Sequence, residues 1–180
     1  MGDNTFREDF RLSDFRGRSL ILFFYPLDFT FVCPSEIIAF DRALPEFEAR
    51  RCQIVGVSVD SHYTHLAWKK TPVEKSGIGP IQYPLVSDLK KTIADSYGVL
   101  HEDGVALRGL FLIDKEGIVR HSLVNDPALG RSVPEAIRMV DALQFHEARG
   151  DVCPANWNEG EEGMTPSAEG VSGYLARRFG

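Results

Sequence analysis

The stretch that most constrains this chain is Leu20 to Tyr25, L-I-L-F-F-Y, an unbroken apolar run closed by Pro26. A run of strand length with no polar face, rich in Ile and aromatics, reads as an interior strand covered on both sides. Beyond Pro34 the period changes, and Ile37, Phe40, Leu44 and Phe47 recur at helical spacing. A helix therefore begins just past Cys33, and Pro34 suits its first position. Cys33 stands where a buried strand feeds a helix N-terminus, and the free N–H groups and positive dipole end there favour a thiolate over a thiol. A free cysteine is ordinarily a small buried hydrophobe. The helix start, the preceding strand and the nearby Thr30 weigh against that reading for Cys33. A thioredoxin-type redox pair would need a second cysteine three residues on, but that position is Glu36. Any redox partner of Cys33 is distant or absent.

The remaining elements follow in order. Thr5 to Leu12 reads as a small hairpin, with S-D-F-R-G-R from Ser13 as a turn before the central strand. Gln53 to Val59 is a second interior strand that leaves Cys52 at its start, as core packing. His62 and His65 could share a helix face with a metal, helped by Asp60, but no second ligand pair with metal spacing appears. They read instead as the surface of a short helix ending near Trp68. Pro72 to Pro84 is loop. A short helix follows, with Asp88 as its cap, Leu89 and Ile93 inward, and Gly98 as its stop. Val105–Ile113 and Ile118–Val124 are strands around the tight turn D-K-E-G. Val133 to Phe145 is amphipathic, with Ile137, Val140 and Leu143 on its inner face. From His146 the periodicity fades into a polar arm that docks or moves, with a short helix near Val171 to Arg178. Strand, helix and strand followed by a hairpin imply an α/β sandwich with a mixed sheet.

Composition narrows the function. The chain has 180 residues, 43% of them hydrophobic, enough for a core, and a net charge of −6, which argues against a nucleic-acid partner. No run approaches a membrane span, and the start M-G-D-N-T-F-R-E-D-F has no apolar core behind a basic flank. The expected location is cytoplasmic. Three cysteines are too few for a disulfide framework, so a disulfide here would be catalytic and transient.

The segment from Pro26 to Glu36, P-L-D-F-T-F-V-C-P-S-E, resembles the active-site signature of the typical 2-Cys peroxiredoxins. The likeness continues through V-S-V-D-S-H-Y-T-H-L-A-W, Y-P-L-V-S-D, R-G-L-F-L-I-D, V-N-D and D-V-C-P-A-N-W, and so covers nearly the whole chain. It implies a thioredoxin-like three-layer sandwich with a central mixed sheet over residues 1–146, and a C-terminal extension arm over 147–180 that carries a resolving cysteine.

The same resemblance implies a thiol peroxidase that needs neither cofactor nor metal and reduces hydrogen peroxide and organic hydroperoxides through a Cys33 sulfenic acid. Thr30, three residues earlier, can place a hydroxyl beside the sulfur. Arg108, on its own an edge-strand charge, becomes the cation delivered to the pocket. Pro26 would shield the sulfur, Glu36 would orient the arginine or hydroxyl network, and Arg131 would be a second nearby cation. Cys153 of a facing subunit would close an intersubunit disulfide. A thioredoxin-like or flavoprotein-linked dithiol protein would reopen it. The implied assembly is a homodimer, with association of dimers into a decamer left open. An oligomeric holdase chaperone or a peroxide-signalling scaffold is the alternative of a different class. A disulfide isomerase is disfavoured by Glu36. Finally, Ser76-Gly77-Ile78-Gly79 and Tyr174-Leu175 resemble, in weakened form, the glycine loop and Tyr-Phe tail of over-oxidation-sensitive members. Leu175 is expected to keep apolar burial without the ring contact, which implies intermediate resistance to over-oxidation.

Overall fold

The computed structural model describes residues 5–180, in two compact units, one reaching to Val133 and one running from Pro134 to Gly180. In the first unit the apolar run is strand β1, Ser19–Phe24, buried at every position. It is the middle of a sheet ordered β3-β2-β1-β4-β5, with β2 at Cys52–Ser58, β3 at Leu85–Ser87, β4 at Arg108–Ile113 and β5 at Val119–Asn125. β1 runs parallel to β2, with Ser19 opposite Cys52, and antiparallel to β4, with Leu20 opposite Ile113, so the sheet is mixed as expected. The edge strand β5 is the only one of the five that alternates between exposed and half-buried positions, as a strand with one solvated face does.

Because side chains alternate along a strand, β1 feeds two cores at once. Leu20, Leu22 and Phe24 join Val55, Val57, Ala94, Val99, Ala106, Phe111 and Ile113. Phe23 turns the other way and stacks on Phe40 of helix α1, Cys33–Arg42, with centroids 4.9 Å apart. Fully burying such a side chain contributes roughly 1.5–3 kcal/mol, so this contact fixes α1 against the sheet. The helical period seen from Ile37 to Phe47 is carried by two helices, since α2, Leu44–Ala49, opens with Pro45 in its first turn.

Three local expectations are corrected. No strand forms among described residues 5–18; a 3-10 turn at Leu12–Phe15 takes the place of the hairpin. Phe10 and Phe15 meet edge to face and pack on the core, so hydrophobic contact outweighs strand pairing in a segment with no alternation. The helix after Asp88 begins only at Thr92 (α4, Thr92–Ser96), and the Asp88 carboxylate reaches forward to accept from the Ile93 and Ala94 amides. Leu89 then falls in the intervening turn and is 60% exposed. His65, expected at the surface of α3, His62–Lys70, is buried. The β4–β5 hairpin forms as expected, and Gly117 supplies the positive φ of +82° that its turn requires. In the loop before β3, a side chain on Gly77 would collide with the Thr71 backbone, so only glycine fits there.

The second unit, from Pro134, is led by α5, Val133–Arg149, which buries Ala136, Ile137 and Val140 on one face and Ala142 on the opposite one. The arm beyond it is folded. Val152 pairs with Met164, and Trp157 is buried against Phe145, with centroids 4.8 Å apart. Arg138 Nη1 donates to the Trp157 carbonyl at 2.8 Å. Helix α6 spans Ala168–Phe179, longer than expected, because the Ser167 hydroxyl caps it by accepting from the Gly170 amide. Tyr174 is buried, whereas Leu175 is 48% exposed and does not keep the apolar burial expected of it. Among the described residues no helix is long and apolar enough to cross a membrane.

Candidate active site

β1 ends at Phe24, two residues before Pro26, and the short loop after it delivers Cys33 as the first residue of α1, with Pro34 in the first turn. The sulfur is enclosed, since Cys33 is 1% exposed. Two donors face it. Thr30 Oγ1 lies 3.0 Å from Sγ and 2.8 Å from the Leu27 carbonyl oxygen. One hydroxyl proton cannot serve both acceptors at once, so Thr30 donates to a thiolate or, turned to Leu27, accepts from a thiol. Arg108, at the start of β4, brings Nη1 to 3.4 Å from Sγ.

Glu36 explains why that guanidinium stays in place. It lies one turn beyond Cys33 on α1, almost fully buried, and its Oε2 accepts from Arg108 Nη1 at 2.6 Å. Arg108 Nε donates to the Pro127 carbonyl at 2.7 Å, fixing the other side of the fork. Arg131 does not touch the sulfur. Its backbone N and Nε donate to Glu36 Oε1 at 2.8 and 2.7 Å, and its Nη2 to Oε2 at 3.0 Å. Its Nη1 donates to the Phe24 and Gly109 carbonyls, and its guanidinium lies 5.0 Å from the Phe23 ring centre. Arg131 is thus a cation behind Glu36 that pins β1 and β4 to the base of the site.

Two guanidiniums against one carboxylate leave this buried cluster with one excess positive charge. Such an excess is costly unless balanced, and Cys33 Sγ lies within reach of Arg108 to balance it. Among the described residues no buried side-chain nitrogen or oxygen lacks a hydrogen-bond partner. The arrangement is therefore preorganised: the Arg108 guanidinium is held toward the sulfur, and Thr30 has only its hydroxyl proton to turn when negative charge develops there.

The other cysteines have different surroundings. Cys52 is fully buried at the start of β2, and burial pushes its thiol up to about 12. A thiol so held is unreactive at neutral pH. Cys52→Ala should leave turnover unchanged and cost about 1 kcal/mol of stability, read from denaturant unfolding beside the rate assay. Cys153 lies in the second unit, half-buried, with Sγ 3.4 Å from the Ala142 carbonyl oxygen. Partial burial raises its pKa, and the nearby Arg138 charge opposes the rise. Pro26 is buried at the end of the central strand. Asp28, inside the same loop, and His65 form a buried pair that the sequence did not single out. The one available signal was the lone acid in an otherwise apolar run, P-L-D-F-T-F.

Residues 2–122 match the AhpC/TSA family, and residues 142–177 match the C-terminal domain of 1-Cys peroxiredoxin. The alkyl hydroperoxide reductase C of Buchnera aphidicola is 54% identical over 177 residues, covering 97% of this chain and 90% of that protein. The crystal structure of the reduced 2-Cys peroxiredoxin of Plasmodium vivax superposes with a TM-score of 0.95 at 56% identity, over 98% of this chain and 91% of that one. Thioredoxin peroxidase I of Plasmodium yoelii gives a TM-score of 0.79 at 61% identity, over 89% and 92%.

Proposed function

The chain belongs to the AhpC/TSA family and is a thiol peroxidase of the peroxiredoxin type, and on that premise we propose that Cys33 is the sulfur that attacks the hydroperoxide. The observation that carries this reading is the convergence of the Thr30 hydroxyl and the Arg108 guanidinium on Sγ, at 3.0 and 3.4 Å. In the attack an S–O bond forms and the O–O bond breaks. The departing oxygen leaves as hydroxide or alkoxide and takes a proton from water, while Cys33 becomes a sulfenic acid. Thr30 and Arg108 stabilise the charge that moves from sulfur to oxygen, and Glu36 with Arg131 holds Arg108 in register. Pro26 closes the site at the strand end.

The sulfenic acid then condenses with a thiol, releasing water, and Cys153 supplied by a second copy of the chain is that thiol. A sulfur only 1% exposed cannot meet another thiol as it stands, so the first turn of α1 has to unwind. Two contacts limit how far. The Tyr83 hydroxyl donates to the Ile37 carbonyl at 2.8 Å, and the Gln82 amide donates to Asp41 Oδ1 at 2.6 Å. They hold α1 from Ile37 onward and leave the turn that contains Cys33 free to open.

A thioredoxin-like or flavoprotein-linked dithiol protein reduces the resulting disulfide, becoming oxidised itself. The name of the Plasmodium yoelii relative supports the thioredoxin type. Hydroperoxide consumption coupled to a panel of such reductants tests the cycle, and no consumption with any of them would overturn it. Replacing Arg108 tests the site. Arg108→Met should lower the rate constant for the first oxidation by about 10²–10³-fold. Arg108→Lys should recover little, because a point charge on a flexible stem cannot hold Glu36 and the Pro127 carbonyl while facing the sulfur. Competition for peroxide with a reference peroxidase measures both.

A further inference from the structure

The loop that carries Thr30 and Cys33 is tied down from behind by a buried polar network that the chemistry above does not use. Asp28 is held at three of its atoms. Its Oδ1 accepts from the Tyr25 hydroxyl at 2.8 Å, its Oδ2 faces His65 Nδ1 at 2.7 Å, and its backbone amide donates to Asp60 Oδ2 at 2.7 Å. Asp60 is itself anchored at the end of β2, accepting from the Ser58 hydroxyl and returning its own amide to that oxygen. His65 comes from α3, and its Nε2 lies 3.3 Å from the Val86 carbonyl of β3. The pair is dry, with side chains 4% and 1% exposed.

Both ring nitrogens of His65 face oxygen acceptors, a carboxylate and a backbone carbonyl. The short contact to Asp28 and the longer one to Val86 join the loop to two other elements, α3 and β3. Removing one member leaves a buried polar atom of the other without its partner, so the link is firm. Its position gives it leverage on the site. Immediately after Asp28, Phe29 is held at φ +55°, a left-handed conformation uncommon for a bulky residue. Next comes Thr30, whose hydroxyl bridges the Leu27 carbonyl and Cys33 Sγ. Strained backbone of this kind persists only where its surroundings enforce it; here Asp28 and Thr30 are hydrogen-bonded on either side of Phe29, whose ring lies 5.6 Å from that of Trp68 on α3.

We propose that His65 is a positioning residue for the peroxide reaction: through Asp28 it clamps the loop from Pro26 to Cys33 to α3 and β3, and so sets the balance between the closed site that reacts with peroxide and the unwound one that forms the disulfide. The inference rests on Cys33 being the sulfur that peroxide oxidises. A weakened clamp lets Thr30 drift from the sulfur, which slows the first step, and lets the first turn of α1 open more often, which speeds the second. A pair that served only the stability of the fold would not move the two steps in opposite directions.

The test is His65→Gln in the full-length protein, with circular dichroism to establish folding. Two constants are read: the second-order constant for Cys33 oxidation by hydrogen peroxide, and the first-order constant for conversion of sulfenic acid to disulfide. The first should fall about tenfold, as expected for a slightly misplaced donor, and the second should rise about threefold. Asp28→Asn, which keeps an oxygen for the Tyr25 hydroxyl but loses the charge facing His65, should give the same split, and it decides the matter if His65→Gln does not fold. Unchanged constants in a folded variant, or two constants that fall together, overturn the clamp. Failure of the underlying functional reading is visible separately, as wild-type protein whose peroxide consumption does not depend on Cys33.

Discussion

Cys33→Ser should abolish peroxide reduction, lowering it by a factor on the order of 10⁴ or more, to the background of the free reagents. Of the three cysteines, Cys33 alone meets a hydroxyl and a guanidinium together. Serine preserves the size of the side chain, and its oxygen can accept from both donors, so the fold should survive. What is lost is the nucleophile, because a hydroxyl with no adjacent general base is a weak one. Neither remaining cysteine can substitute. Cys52 is sealed in the core with its thiol pushed up to about 12, and Cys153 has no comparable pair of donors. The comparison to make is hydrogen peroxide loss by wild type and variant under identical reductant, with thermal unfolding to confirm the fold. Turnover retained within tenfold of wild type would remove Cys33 from the mechanism.

Cys153→Ser should separate the half-reactions. One equivalent of peroxide per subunit should still be consumed at the wild-type rate, since every group facing Cys33 Sγ is intact. Steady-state turnover with a dithiol protein should fall to background, because the sulfenic acid has no thiol with which to condense. The stranded sulfenic acid should then advance to sulfinic acid at peroxide doses that leave wild type unaffected. In wild type, resolution should accelerate as pH rises. Partial burial raises the Cys153 pKa above the ordinary thiol value, so its thiolate fraction keeps growing through the alkaline range. A variant that cycles normally would assign resolution to another thiol.

How far the sequence led depended on how local each signal was. The Leu20–Tyr25 run implied a strand covered on both faces, and it lies at the centre of the sheet with every residue of β1 buried. The change of period after Pro34 placed Cys33 at a helix start, which is where it is. Arg108 was different. Periodicity made it an edge-strand charge, and only family resemblance brought it to the sulfur, because the contact spans 75 positions and is created by the pairing of β1 with β4. Arg131 was placed near the site by the same resemblance, but its service to Glu36 rather than to sulfur is set by side-chain geometry that no spacing encodes.

The failures have a common origin. His65 looked like a surface residue because a polar side chain on a short helix is ordinarily solvated, and its burial depends on Asp28, 37 positions earlier. Leu89 faces inward only if Asp88 caps a helix that starts beside it, whereas the carboxylate reaches amides five and six residues on. The arm beyond His146 lacks periodicity, yet it is organised by the Phe145–Trp157 ring contact, the Arg138 bond to the Trp157 carbonyl and the Val152–Met164 bridge. Each is a pairing of residues distant in sequence or a choice among local turns, which hydrophobic pattern does not resolve.

Peroxide should oxidise the sulfur of Cys33, and only that sulfur, to a sulfenic acid. The most direct measurement uses Cys153→Ser, so that no disulfide can consume the product. The variant is mixed with one equivalent of hydrogen peroxide, quenched rapidly with a sulfenic-acid-specific dione, and mapped by mass spectrometry. One adduct per subunit is expected, on the peptide carrying Cys33, with Cys52 unmodified. An adduct on Cys52, or peroxide consumed with no adduct on Cys33, would contradict it.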